Sequence, residues 1–180
     1  MRCFIAVECP QEVKEKFAGI QKVIREFGEM SIVKPENMHL TLKFLGEVDD
    51  KQAGKVSNAL ESVQYMRYDA TIRGLGVFPK PDYVRVVWAG VEDEGRTKEL
   101  ASIVDSIMKP LGFPAEKDFQ PHLTLARVKF LKDKSKLAEV IERRSNEVFG
   151  SYTVDKLLLM KSVLSPKGPE YSVVKEIKLA

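Results

Sequence analysis

Histidine and cysteine are scarce in this chain, with two of each among 180 residues. Cys3 and Cys9 lie close together and have neither metal-type nor disulfide-framework spacing. A reducing, cytoplasmic setting is the expectation. No apolar stretch approaches the roughly 20 residues of a membrane span. Met1 to Ile5 enters a strand pattern directly, with no signal-peptide layout, so no membrane partner is expected. Neither charge sign dominates: the net charge of +3 permits an anionic ligand without indicating nucleic acid. Apolar residues at 44% and charged residues at 31% exclude a disordered chain. Asn and Gln are sparse while Lys and Glu are plentiful, a bias of heat-adapted proteins. The length suits one buried core, or two small lobes sharing one.

Both histidines head the same tetrapeptide. His39-Leu40-Thr41-Leu42 recurs as His122-Leu123-Thr124-Leu125. Around each copy the hydrophobic periods alternate between strand and helix. Strands are expected over 2–8, 31–34, 38–46, 68–77, 83–91, from 122 to about 129, 152–163 and 171–179. A helix after Pro10 carries Val13, Phe17, Ile20 and Ile24 and ends near Gly28. A second, capped by Asp49 or Asp50, carries Ala53, Val56 and Leu60. A third runs from about Gly95 to Lys109 with Leu100, Ile103, Val104 and Ile107 inward, stopped by Pro110. A fourth, capped by Asp133 or Ser135, carries Leu137, Val140, Ile141 and Val148.

The two motifs are 83 residues apart, and the same offset pairs Arg2 with Arg85, Phe17 with Leu100, Ile24 with Ile107 and Asp50 with Asp133. This register is the mark of an internal repeat. The expected fold is α+β and bilobal: two pseudo-twofold-related antiparallel-sheet lobes with outer helices around a central groove. Residues 1–180 then form a single domain whose second repeat begins near 83.

On a strand, residues two apart face the same way. His39 and Thr41 therefore project together, with Lys43 next, while Leu40, Leu42 and Phe44 face the helices. His122, Thr124 and Ala126 form the second set, with Arg127 opposite. A pseudo-twofold axis brings two imidazoles and two hydroxyls into one groove. That set suits a phosphodiester, because one imidazole can take a proton from the attacking oxygen while the other gives one to the leaving oxygen. The Thr hydroxyls can donate to the non-bridging oxygens. Packing alone is the competing explanation for a repeated string. Zinc fits poorly, since a third protein ligand is missing from the motifs, and no nucleophile elbow marks a serine or cysteine triad. Lys43 and Arg127 are candidate phosphate contacts, or solvated charges. Trp88, Phe119 and Tyr171 can stack on a base or simply pack.

At these motifs the chain resembles the two-histidine phosphoesterase superfamily, and within it the LigT-like RNA 2′,3′-cyclic phosphodiesterases, also called 2′-5′ RNA ligases. The matching segments are Arg2 to Val7, Met38 to Gly46 and Pro121 to Arg127, and the likeness spans the whole chain. The resemblance implies metal-free, cofactor-free hydrolysis of an RNA 2′,3′-cyclic phosphate to a 2′-phosphate, with weak 2′-5′ ligation as the reverse. It makes His39 the general acid and His122 the general base, with Thr41 and Thr124 holding phosphate oxygens. Arg127 takes a phosphate-contacting position and Phe44 a base-stacking one, against strict alternation at both. The implied partner is an RNA with a 2′,3′-cyclic phosphate end, tRNA-derived ends among the candidates, acted on by a monomer. The alternatives are a non-catalytic RNA-end or nucleotide-binding module and a cyclic phosphodiesterase for small nucleotides.

Overall fold

The computed structural model describes residues 1–180. Its strands are β1 (Arg2–Val7), β2 (Gly28–Ile32), β3 (Leu40–Glu47), β4 (Tyr68–Lys80), β5 (Tyr83–Glu92), β6 (His122–Leu131), β7 (Val148–Val154), β8 (Lys156–Ser165) and β9 (Gly168–Lys178). Its helices are α1 (Gln11–Glu15), α2 (Ala18–Ile24), α3 (Asp50–Leu60), α4 (Arg96–Met108) and α5 (Lys134–Arg143). No helix is long and apolar enough to cross a membrane.

All strands join one antiparallel sheet in the order β7-β4-β5-β6-β3-β1-β8-β9, with β2 also paired to β6. The order is symmetric about its middle. One lobe is β6-β5-β4-β7 and the other is β3-β1-β8-β9, joined through the pairing of Leu40 with Leu123. The helices cross between lobes. Helix α4 leaves β5 yet packs on β3, and α1 leaves β1 yet packs on β7. Both halves therefore share one contiguous core, a cluster of 40 buried residues that includes Ile5, Phe17, Leu40, Leu100 and Leu123. A smaller cluster of Phe4, Ala6, Leu158 and Met160 lies apart from it, with Tyr171 against it.

One local irregularity sets which side chains reach the concave face. In the β1–β3 ladder Ile5 pairs with Lys43 and Ala6 with Thr41, leaving Leu42 as an extra residue. In the β5–β6 ladder Val87 pairs with Ala126 and Trp88 with Thr124, leaving Leu125 extra. These are β-bulges, which place two residues opposite one and reset the alternation. Two successive residues then turn inward: Leu42 and Lys43 are each 2% exposed, and Leu125 and Ala126 are each 0% exposed. Strict alternation fails beyond this point. Lys43 and Ala126 leave the His–Thr face for the interior. Phe44, 65% exposed, and the exposed Arg127 take their places.

The helices form where the periodicity expects them, with differences at their ends. The long first helix breaks at Lys16 and Phe17, whose amides reach back only three residues, to Val13 and Lys14. Val13, Phe17, Ile20 and Ile24 stay buried through the break. Asp49 caps α3 by accepting from the Gln52 amide at 2.7 Å, and Asp133 caps α5 from Lys136 at 3.0 Å. In α4 the fully inward positions are Leu100, Ala101, Val104 and Met108, while Ile103 and Ile107 are half-buried. Val148 starts β7 instead of extending α5, and Asp155 divides the expected 152–163 strand in two. The 31–34 strand starts earlier, at Gly28.

Leu123 is fully buried and carries the pairing between lobes. Leu123→Ala is expected to cost about 2–5 kcal/mol in urea unfolding, the usual range for a core leucine. A loss under about 1 kcal/mol would mean that the joint between lobes is not a packed core.

Candidate active site

The two lobes enclose a groove of about 1110 Å³. His39, Thr41 and Phe44 from β3 and its entry line one side, and His122, Thr124 and Arg127 from β6 line the other. The six residues to which the resemblance gives roles thus line one cavity.

Each imidazole is half-buried against aromatic rings. His39 has Phe4 at 6.2 Å and Tyr171 at 6.0 Å between ring centroids. His122 meets Phe78 edge-on at 5.0 Å, with Trp88 at 6.5 Å. The residue two places before each histidine presents its carbonyl to the ring. Gln120 O lies 2.8 Å from His122 Nδ1. A carbonyl can only accept, so Nδ1 carries the proton and Nε2 keeps a free lone pair. Asn37 is the counterpart beside His39. Its carbonyl favours the protonated ring, but His39 Nδ1 remains buried with no partner in hydrogen-bond geometry. The Asn37 side chain holds the turn in place by donating to Pro169 O at 3.0 Å.

Burial lowers the pKa of both rings from the ordinary 6.5. At His39 the Lys14 ammonium adds to the lowering, while the Asn37 carbonyl and Glu8 oppose it. At His122 the Gln120 carbonyl opposes burial and the Arg127 guanidinium reinforces it. Near neutral pH both imidazoles are therefore uncharged. A bound anion shifts them back toward protonation, since an opposite charge favours the charged form.

The rim carries Lys34, Lys117 and Lys167 with Arg127, against Glu116 and Asp118. A groove with excess positive charge and neutral imidazoles suits an anionic ligand. Phe4, Phe78, Asn37 and Gln120 carry no motif of their own. At Asn37 and Gln120 the group that meets the ring is a backbone carbonyl, which residue type does not reveal. Trp88 and Tyr171 pack against the histidines, while Phe119 lines the groove.

A curled antiparallel sheet backed by helices, with a His-x-Thr strand from each lobe at its centre, is the architecture of the two-histidine phosphoesterase class. Similarity to known proteins narrows this. The family model described as the AKAP7 2′5′ RNA ligase-like domain matches residues 3–179. An RNA 2′,3′-cyclic phosphodiesterase of Archaeoglobus fulgidus is 39% identical over 171 residues, 95% of this chain and 96% of that protein. The crystal structure of TT0787 from Thermus thermophilus superposes with a TM-score of 0.80 at 32% identity, covering 99% of this chain and 97% of the other. LigT of E. coli in its apo form gives 0.79 at 25% identity, covering 99% and 96%. The chain belongs to the LigT-like, 2′-5′ RNA ligase-like family of two-histidine phosphoesterases.

The lowered histidine pKa values have a measurable consequence. Below pH 6.5, the ordinary histidine value, the unfolded chain binds protons that the folded chain resists. Stability contributed by the two neutral rings is thus present above that pH and declines as pH falls through it. The urea midpoint should drop between about pH 7 and 5, and drop less in the His39→Ala/His122→Ala double variant. An identical drop in both proteins would contradict buried, neutral imidazoles.

Proposed function

We propose that the groove hydrolyses RNA 2′,3′-cyclic phosphate ends to 2′-phosphomonoesters, with His122 as general base and His39 as general acid. The observation that carries this reading is the meeting of both His-x-Thr pairs in one groove. Family membership and relatives named RNA 2′,3′-cyclic phosphodiesterase support it.

The proposed step is an in-line displacement at phosphorus. A water oxygen bonds to phosphorus and gives its proton to His122 Nε2, whose lone pair is free because Nδ1 donates to Gln120 O. The bond from phosphorus to the 3′ oxygen breaks, and that oxygen takes a proton from His39. The product carries a 2′-phosphate and a 3′-hydroxyl. Solvent then restores the protonation of the two rings. His39 must hold a proton when substrate is bound, and the phosphodiester anion beside it offsets the lowering by burial. Thr41, Thr124 and Arg127 are the proposed holders of the non-bridging oxygens, and Phe44 the surface for the terminal base. A 5′-hydroxyl in place of water gives 2′-5′ ligation by the same displacement of the 3′ oxygen. No metal or cofactor enters this scheme.

The groove volume of about 1110 Å³ supports an oligonucleotide end over a small cyclic nucleotide. Ends left by tRNA cleavage are within the proposed range. The working unit is proposed as one bilobal monomer in the cytoplasm, with Cys3 and Cys9 reduced and buried.

The test incubates the protein and chelator with an oligoribonucleotide bearing a 2′,3′-cyclic phosphate. A 2′-phosphate should accumulate, and His39→Ala and His122→Ala should each lower kcat by roughly 10²–10⁴-fold. Binding without turnover in the wild type would support the non-catalytic module instead.

A further inference from the structure

The two segments that lead into the motif strands are held in different ways. Before β3, residues 28–32 run as β2 along β6, fixed by a backbone ladder. The buried Gln21 adds bonds from Nε2 to Val33 O at 2.8 Å and Leu125 O at 3.0 Å. Before β6, residues 112–121 form neither strand nor helix, yet residues 116–120 wall the groove. Phe113 and Phe119 pack against the core, and the polar attachment of the segment is a buried charge pair. Lys43 Nζ donates to Asp105 Oδ1 of α4 at 2.5 Å and to Pro114 O at 2.7 Å. The other carboxylate oxygen of Asp105 accepts from the Glu116 amide at 3.1 Å. The Lys43 side chain is 2% exposed and that of Asp105 15%.

We propose that the Lys43–Asp105 pair is a positioning device that fixes the 112–121 segment so that the Gln120 carbonyl orients His122. It rests on the reading of His122 as general base. The segment is clamped at Pro114 and Glu116, and four residues beyond that clamp Gln120 O meets His122 Nδ1. Between them Asp118 holds φ +56°, a left-handed conformation that persists when the surroundings fix it. Desolvating two charges is costly, and apolar residues of similar volume usually stabilise a core as well or better. What apolar residues cannot do is hold two backbone groups of an irregular segment at defined points. Ala126 occupies the place in β6 that Lys43 takes in β3. The segment before β3 has the β2 ladder instead and needs no such clamp.

The bulge explains how Lys43 reaches this position. With Leu42 as the extra residue, Lys43 leaves the groove face and points beneath it, toward α4. The same displacement delivers Phe44 to the groove, so one irregularity supplies both a wall residue and the clamp.

The decisive experiment titrates the two histidine ring signals by NMR in the full chain, assigned with His39→Ala. The Lys43→Met/Asp105→Leu double variant removes the clamp without leaving a lone buried charge. It should keep its unfolding midpoint while the His122 pKa falls below wild type, as the Gln120 carbonyl drifts away, and the His39 titration stays unchanged. Cyclic phosphate hydrolysis should fall roughly 10- to 100-fold, since misplacement by about 1 Å can cost 10²-fold. A folded double variant in which His122 titrates as in wild type would overturn the proposal. So would an equal shift of both histidines, which marks general loosening. If the double variant does not fold, Glu116→Pro, which removes the amide donated to Asp105, must lower His122 alone relative to Glu116→Ala, which loses the same carboxylate and keeps the amide. Wild type inactive on cyclic phosphate would instead remove the proposed reaction, and the titrations would still decide the clamp.

Discussion

One extra residue just after the Thr of each motif strand decides what the groove contains. Leu42 and Leu125 are the unpaired members of two bulges set at equivalent points of the repeat. Before each bulge, His and Thr face the groove and leucines face the core. After each bulge the order inverts, so a large side chain joins the groove just beyond the Thr. In one lobe that residue is Phe44 and in the other Arg127. The inward position behind it is filled by Lys43 in one case and Ala126 in the other. A flat ladder would place Lys43 in the groove and bury the Arg127 charge against the core, at a high desolvation cost.

The symmetry is therefore one of backbone, with different chemistry on each half. Both imidazoles are half-buried against aromatic rings and follow a carbonyl two residues earlier. Only His122 is bonded to that carbonyl in proper geometry. Arg127 lies on the His122 side and Phe44 on the His39 side. In-line displacement needs an acid and a base on opposite faces of phosphorus, with unlike neighbours. A doubled backbone with diverged side chains suits that need.

Much of this was legible in the sequence. The repeated tetrapeptide, the offset of 83 and the helical periods located the strands, the helices and the His–Thr pairs, because these depend on local patterning. The resemblance placed Phe44 and Arg127 where alternation did not. The bulges themselves were hidden. A bulge is defined by the partner strand, and a Leu-Lys or Leu-Ala step reads the same with or without one. The apolar Leu125-Ala126 step was compatible with two inward residues, but Lys43 disguised its twin. The Lys43–Asp105 pair joins residues 62 apart and has no sequence period. The carbonyls of Asn37 and Gln120 were equally silent, since a backbone group leaves no trace in residue type. Asp155 ending one strand and Val148 beginning another were decided by sheet pairing, not by hydrophobic pattern.

The division of labour between the two histidines is the central claim, and a change of leaving group tests it most directly. Replacing the 3′ oxygen of the cyclic phosphate by sulfur gives a thiolate leaving group, which needs little help from an acid because thiols have a pKa of about 8.5. With this substrate His39→Ala should recover most of the wild-type rate, while His122→Ala should stay as impaired as it is on the oxygen substrate. Recovery by His122→Ala instead, or equal impairment of both variants, would contradict the assignment of His39 as acid and His122 as base.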